Sequence, residues 1–128
     1  MVRLGMVLAA AALILLNPTF EKVKTTGYCA GPPCVDVKWA DGITASGTVA
    51  KRGVCASDWK YFPKGAVFHV PGYGTCTVED TGNPEYVKGN HLDLFFDTEE
   101  EAVQWGVKYK TITVITWPLA IERAAYGD

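Results

Sequence analysis

Positive charge is scarce in this sequence, which has 12 lysines and arginines against 14 aspartates and glutamates and a net charge of −2. A protein that holds a nucleic-acid backbone needs a basic surface, so we expect no nucleic-acid partner. The composition is also unlike that of a disordered chain, because 48% of the residues are hydrophobic and 20% are charged. The length of 128 residues fits one globular domain.

Long hydrophobic runs are missing except near the amino terminus, where residues 4–16 carry no charge and follow Arg3. A cationic start before such a run is typical of a secretory signal. The run is shorter than the roughly 20 residues that a membrane-spanning helix needs, but no small-x-small cleavage triplet follows it. We therefore predict that residues 1–20 form a helical signal peptide or membrane anchor. Export with release, and export with the segment retained as a membrane tether, both stay open.

The four cysteines are an even number in a small domain, which favours disulfides formed after export. Cys29 and Cys34 flank a turn-forming AGPP spacer, so a local bond between them is plausible. Cys55 and Cys76 lie in strand-like segments that could be neighbours. A zinc site is the minority interpretation, because only one pair is closely spaced. We expect neither a metal nor a cofactor.

Short apolar segments separated by glycine and proline predict a mainly β fold. Many short strands at close spacing are typical of a closed barrel or a sandwich. The predicted strands cover residues 23–29, 42–50, 53–57, 66–70, 74–80, 91–97 and 109–117.

One helix is predicted between the last two strands. Thr98 and Glu101 match a capping box, and the three acidic residues of the first turn suit the helix dipole. Gly106 should end this helix, which forms a crossover between two strands. The sequence thus divides into the amino-terminal segment, a barrel over 21–117 and a tail over 118–128 with a second short helix.

Asp93 is the strongest candidate for chemistry. Strand alternation places it on one face of 91–97 with His91, while the leucines of that strand face the core. A carboxylate in an apolar strand needs a partner or a function, because burial without either is costly. Desolvation would raise its pKa and suit a general acid. A salt bridge to Lys88 is the competing structural explanation. We interpret His91 and His69 as structural.

Two further aspartates stand near strand ends. Asp80 ends the segment 74–80, where active groups are common, although it could serve only the following turn. Asp97 could serve only the start of the predicted helix.

An ordered set of motifs resembles the 3D domain, a family named for three aspartates, here Asp80, Asp93 and Asp97. The resemblance covers roughly residues 25–116. The matching stretches are GITASG (42–47), VCASD (54–58), FPKG (62–65), GYG (72–74), VEDTG (78–82), VKGNHLDLFFD (87–97), EAVQWG (101–106) and ITVI (112–115).

The resemblance implies a six-stranded double-psi β-barrel, similar to the catalytic barrel of membrane-bound lytic transglycosylase A and to stationary-phase survival proteins. It implies peptidoglycan glycan strands as the partner, with cleavage of the MurNAc–GlcNAc β-1,4 bond and a 1,6-anhydro end. It also implies that Asp93 is the acid/base and that Asp80 lies beside it. The chain departs from the family pattern at 82–87, where the loop is two residues longer and Asn83 replaces a glycine.

The chemistry favours a lytic transglycosylase, which can act with one carboxyl, whereas a sugar hydrolase typically uses two. Asp80 and Asp97 would keep Asp93 protonated through their charges. Thr44 and Lys88 could hold substrate hydroxyl or acetamido groups, and Tyr28 could stack on a sugar ring. A water-using hydrolase and a non-catalytic wall-binding module on the same barrel are the alternatives.

Overall fold

A computed structural model of the protein describes residues 17–31, 34 and 41–119. Residues 1–16 of the predicted signal or anchor, and the helix predicted in the tail, lie outside the described residues. Within the described residues, no helix is both long and apolar enough to cross a membrane.

The described chain forms six strands and one helix, in agreement with the predicted mainly β fold. The elements are β1 (Thr19–Tyr28), β2 (Val54–Ser57), β3 (Val67–Val70), β4 (Gly74–Asp80), β5 (His91–Phe95), α1 (Glu99–Trp105) and β6 (Lys108–Thr116).

The strands close into a barrel in the order β1-β5-β2-β4-β3-β6, which confirms the predicted six-stranded barrel. Two pairs, β1 with β5 and β2 with β4, run parallel, and the other four run antiparallel. Parallel neighbours so far apart in sequence require crossing connections. These crossings bring segments that are distant in sequence to one wall, where β1, β5, β2 and β4 lie side by side.

The barrel interior is filled by apolar side chains that point inward from every strand. Leu92 and Leu94 of β5 are fully buried there, as predicted for that face. Phe20 of β1 packs its ring edge against Phe62 at a centroid distance of 5.0 Å. β1 begins at Thr19, so this strand starts two residues before the barrel boundary that we predicted at Glu21.

Both predicted cysteine pairs form disulfides. Cys29 is bonded to Cys34 across five positions, and Cys55 of β2 is bonded to Cys76 of β4. The second bond lies in the core, where both cysteines are fully buried. It ties together two strands of the wall described above.

The predicted cap of α1 is confirmed, because the Thr98 hydroxyl accepts a hydrogen bond from the Glu101 backbone N–H. Gly106 ends the helix with a positive φ of 65°. The helix packs on β1 at Gly27, where a Cβ would lie only 2.9 Å from the Ala102 carbonyl oxygen. The crossover helix therefore needs a residue without a side chain beneath it.

The prediction of a strand over 42–50 is wrong. This segment is a loop held by an isolated bridge between Ile43 and Val49. Gly42 and Gly47 both adopt positive φ values, 74° and 83°. A chain with two such left-handed residues turns instead of extending, and the loop folds over the end of β4.

Candidate active site

Asp93 lies in the middle of β5, on the outer face of the barrel. Its neighbour on β1 is Thr26, and its neighbour on β2 is Ala56. Ala56 is in turn paired with Asp80 of β4. Neighbouring strands are about 4.8 Å apart, so the Cα atoms of the two aspartates lie roughly 10 Å apart with a small alanine between them. The wall therefore presents two acids across one strand.

On this outer face of β5, Asp93 lies between two buried residues, His91 and Phe95. Phe95 is buried in a small apolar cluster with Tyr28, Val54 and Ala56. His91 is 5% exposed, and its ring is bonded to the backbone of the loop 82–90. Of these three residues on one face of β5, only Asp93 is partly exposed, because His91 and Phe95 are buried.

Burial raises the pKa of Asp93 from its ordinary value of 3.8 to about 6. The Thr26 hydroxyl, 2.7 Å from Asp93 Oδ1, opposes this shift by donating to the ionised form. The negative charge of Asp80 raises the pKa further. Asp93 can thus be protonated near neutral pH and still ionise readily, which suits a group that both gives and takes a proton.

Asp80 organises the surroundings of Asp93. Its carboxylate accepts hydrogen bonds from the Tyr28 hydroxyl at 3.1 Å and from the backbone N–H groups of Ala45 and Thr81, both at 2.9 Å. Its own carbonyl accepts from the Trp59 indole at 3.0 Å. Asp80 thus serves the following turn and also anchors the loop 41–50 next to the acid.

Tyr28 is buried and donates a hydrogen bond to Asp80, so little of its ring is accessible to a ligand. Only 8% of its surface is exposed, and its ring packs against Phe95 at a centroid distance of 5.3 Å. Burial, then the charges of Asp80 and Asp93, raise the pKa of its hydroxyl well above the usual range. This geometry favours a positioning role over the stacking on a sugar ring that we predicted.

The other predicted residues do not converge on Asp93. Thr44 is buried and shares a 2.7 Å hydrogen bond with Thr48 inside the loop 41–50. Lys88 is exposed on the loop 82–90, and Asp93 has Thr26 instead of this lysine as its partner.

Asp97 lies beyond the end of β5 and is exposed. Burial is the main cause that raises the pKa of the Tyr73 hydroxyl. The negative charge of Asp97 also raises it and is the smallest of the causes. Asp80, and not Asp97, is the like charge that raises the pKa of Asp93.

Sequence reasoning missed Thr26 and gave His91 only a structural role. The Thr26 hydroxyl oxygen lies 2.7 Å from Asp93 Oδ1 and also 2.7 Å from His91 Nε2. The other ring nitrogen, Nδ1, lies 3.0 Å from the Tyr86 carbonyl oxygen. Alternation places Thr26 and Tyr28 on one face of β1, but nothing in the sequence indicates that this face adjoins β5.

Gly82 controls the position of the longer loop beside the site. A Cβ on Gly82 would lie 2.2 Å from Val87 Cγ2, so we expect Gly82→Ala to displace Val87 and to cost about 2 kcal/mol of unfolding free energy. Chemical denaturation measures this loss. Gly31→Ala is the matched control, because nothing lies within 4 Å of its Cβ. Adding Val87→Ala should restore part of the loss, and a Gly82→Ala variant as stable as the control would contradict the expectation.

A family model described as the 3D domain matches residues 53–116 of the chain. The chain belongs to the 3D domain family. The match spans β2 to β6 and includes Asp80, Asp93 and Asp97.

Two relatives of this 3D domain protein come from Bacillus subtilis (strain 168). The cell wall-binding protein YocH is 36% identical over 78 residues, which are 58% of this chain and 26% of that protein. The putative cell wall shaping protein YabE is 33% identical over 101 residues, which are 76% of this chain and 22% of that protein. The chain spans about a quarter of the length of the relatives it matches.

Solved structures of the Escherichia coli lytic transglycosylase MltA are similar at a lower level. One matches 60% of this chain and 28% of MltA with 21% identity and a TM-score of 0.48. The structure with bound chitohexaose matches 59% and 28% with 21% identity and a TM-score of 0.44. This similarity is too low to transfer residue roles to the 3D domain described here.

Proposed function

We propose that this protein acts outside the cytoplasm on peptidoglycan and cuts its glycan strands as a lytic transglycosylase, with Asp93 as the acid/base. The observation that carries the proposal is a partly buried acid on the outer face of β5, with a pKa of about 6. The names of the two bacterial relatives, which refer to cell wall binding and cell wall shaping, support the substrate class. The two disulfides support an oxidising compartment.

One carboxyl is sufficient for this reaction. Protonated Asp93 donates its proton to the glycosidic oxygen as the bond from C1 to that oxygen breaks. The C6 hydroxyl of the same MurNAc ring then attacks C1, and its proton passes to the Asp93 carboxylate. The acid is restored, no water is consumed, and the product carries a 1,6-anhydro end.

Asp80 supports this cycle without touching the reacting atoms. It accepts hydrogen bonds from Tyr28, Ala45 and Thr81, which hold its carboxylate in place. Its fixed negative charge disfavours ionisation of Asp93 and so keeps the acid loaded. The same charge would stabilise the oxocarbenium-like transition state that forms when the sugar bond breaks.

The products of the reaction test the proposal. We expect purified peptidoglycan digested by the full chain to yield fragments that are lighter by one water than those with reducing ends. Mass spectrometry distinguishes the two, with a muramidase digest as the reference for reducing ends. Fragments with reducing ends would instead show a hydrolase.

A non-catalytic wall-binding domain is the second candidate, which the name of the relative YocH favours. It predicts that the protein sediments with insoluble peptidoglycan but releases no fragments. It also predicts that an Asp93→Asn variant sediments equally well and keeps any effect on the wall. Release of fragments that depends on Asp93 excludes this candidate.

A further inference from the structure

His91, Thr26 and Asp93 form a continuous line of hydrogen-bonding groups that ends at the Tyr86 carbonyl. The line has three contacts: 3.0 Å between the Tyr86 oxygen and Nδ1, 2.7 Å between Nε2 and Thr26 Oγ1, and 2.7 Å between Thr26 Oγ1 and Asp93 Oδ1. Each contact needs one hydrogen between its two atoms. The number of protons in the line therefore decides whether all three bonds can form.

A carbonyl oxygen can only accept, so the contact with Tyr86 fixes a hydrogen on His91 Nδ1. In the neutral imidazole the other nitrogen, Nε2, then carries a lone pair and accepts from the Thr26 hydroxyl. This bond uses the only hydroxyl hydrogen of Thr26. The third contact then requires a proton on Asp93, which donates to Thr26 Oγ1.

The third hydrogen has one other possible place. If Asp93 is ionised and accepts from Thr26, a hydrogen on Nε2 completes the line, and His91 becomes an imidazolium. With Asp93 ionised and His91 neutral, only two hydrogens are present for three contacts, and one contact has none. The arrangement therefore favours states that hold one exchangeable proton.

We propose that His91 is a positioning residue for Asp93, and that the two share one exchangeable proton through the Thr26 hydroxyl. The proton moves as two coupled transfers: Nε2 gives its hydrogen to Thr26 Oγ1 while Thr26 gives its own to Asp93 Oδ1. The reverse movement returns it. No atom is gained or lost, and the net charge of the line is unchanged.

This inference rests on the proposed function for its consequence. After Asp93 has protonated the leaving oxygen, the line lacks one hydrogen, and this favours recovery of the proton from the C6 hydroxyl. His91 then does not touch the substrate, yet it sets how firmly the acid holds its proton.

Other charged and titratable groups on two strands, β4 and β1, also act on this line. Asp80 on β4 raises the pKa of Asp93, and Tyr28 on β1 interacts with both aspartates. Burial lowers the pKa of His91, the bond to Tyr86 opposes this, and Lys24 on β1 lowers it slightly further. Together these groups favour the form with the proton on Asp93 and a neutral His91.

Nuclear magnetic resonance on the full chain, labelled at histidine nitrogens and aspartate carboxyl carbons, tests the sharing directly. The only other histidine, His69, is exposed and serves as the internal reference. At about pH 5.5 we expect His91 to carry its hydrogen on Nδ1. The Nε2 signal should then move with the same midpoint as the Asp93 carboxyl. A hydrogen on Nε2 with none on Nδ1 at that pH, or independent midpoints, would overturn the proposal.

Three variants complete the test. His91→Gln should lower the pKa of Asp93 by about one pH unit, because the amide can donate to Thr26 and free its hydroxyl for the carboxylate. Thr26→Val should raise it by a similar amount, because the ionised acid loses its donor. Thr26→Ser should leave it unchanged. Equal titration midpoints of Asp93 in the parent and in all three variants would refute the shared proton.

The activity readout separates this proposal from the proposed function. If the function is right, His91→Gln should keep at least about half of the parental glycan cleavage at pH 5 and lose about tenfold at pH 7, since less Asp93 is protonated. A uniform loss at both pH values would indicate only a structural role and would refute the proposal. Coupled titration in a protein that releases no fragments would leave the shared proton standing and remove the enzymatic function.

Discussion

Replacing Asp93 with asparagine should reduce the release of anhydro-ended fragments by at least about a thousandfold. General acid–base catalysis accelerates a reaction roughly 10²–10⁴-fold. In the proposed reaction Asp93 acts first as the acid and then as the base. The asparagine amide can still form a hydrogen bond with the Thr26 hydroxyl, so this side-chain contact between β1 and β5 is kept. Quantitative chromatography of digested peptidoglycan measures the effect.

Asp97→Asn is the matched control for this prediction. It removes the same charge from a neighbouring family aspartate that is exposed and beyond the end of β5. We expect its rate to stay within about twofold of the parent. Parental activity in the Asp93 variant would show that this acid does not carry the chemistry, and an equal loss in both variants would show that charge alone is being measured.

The same Asp93→Asn substitution should stabilise the fold at alkaline pH. Folding raises the pKa of Asp93 from 3.8 to about 6, so the folded state prefers the protonated acid. The stability of the parent therefore falls as the pH rises from about 4 to 6 and loses nothing more from this group above that range. One pKa unit corresponds to about 1.4 kcal/mol, so the full cost of the charge approaches 3 kcal/mol. Asparagine carries no such charge.

Urea unfolding at pH 3.5 and pH 8 measures this difference. We expect the variant and the parent to be nearly equal at pH 3.5, where Asp93 is mostly protonated in both folded and unfolded chains. At pH 8 the variant should be more stable by up to about 3 kcal/mol. Asp97→Asn is the control here too, because this aspartate is exposed and lies outside β5. A constant difference at both pH values would mean that the two side chains differ in packing and not in charge.

Much of the barrel could be predicted from the sequence because its strands carry local signals. The alternation of 91–97 correctly placed the leucines of β5 in the core. The capping residues of α1 are encoded within four positions, from Thr98 to Glu101. Cys29 and Cys34 are close in sequence, so their bond needed only a turn. In each case the residues that interact are neighbours along the chain or repeat with a fixed period.

The rest depends on contacts between distant segments. Thr26 and Asp93 are 67 positions apart, and only the register of the β1–β5 pair brings them together. A shift by one residue would have turned Thr26 to the interior. The loop 42–50 has the β-branched residues of a strand, but its two glycines adopt left-handed conformations that composition does not indicate. Asp97 shares the period of Asp93, yet β5 ends before it.

The position of β1 between β5 and β6 also has a consequence for biosynthesis. A ribosome makes residues 19–28 early, but their hydrogen-bonding partners are completed only at residue 116. The bond between Thr25 and the Lys108 carbonyl spans 83 positions. Topologies with such distant pairings fold slowly, in milliseconds to seconds. The barrel therefore closes only after the last strand has left the ribosome, whereas both strands that carry the proposed proton-sharing line are complete by residue 95.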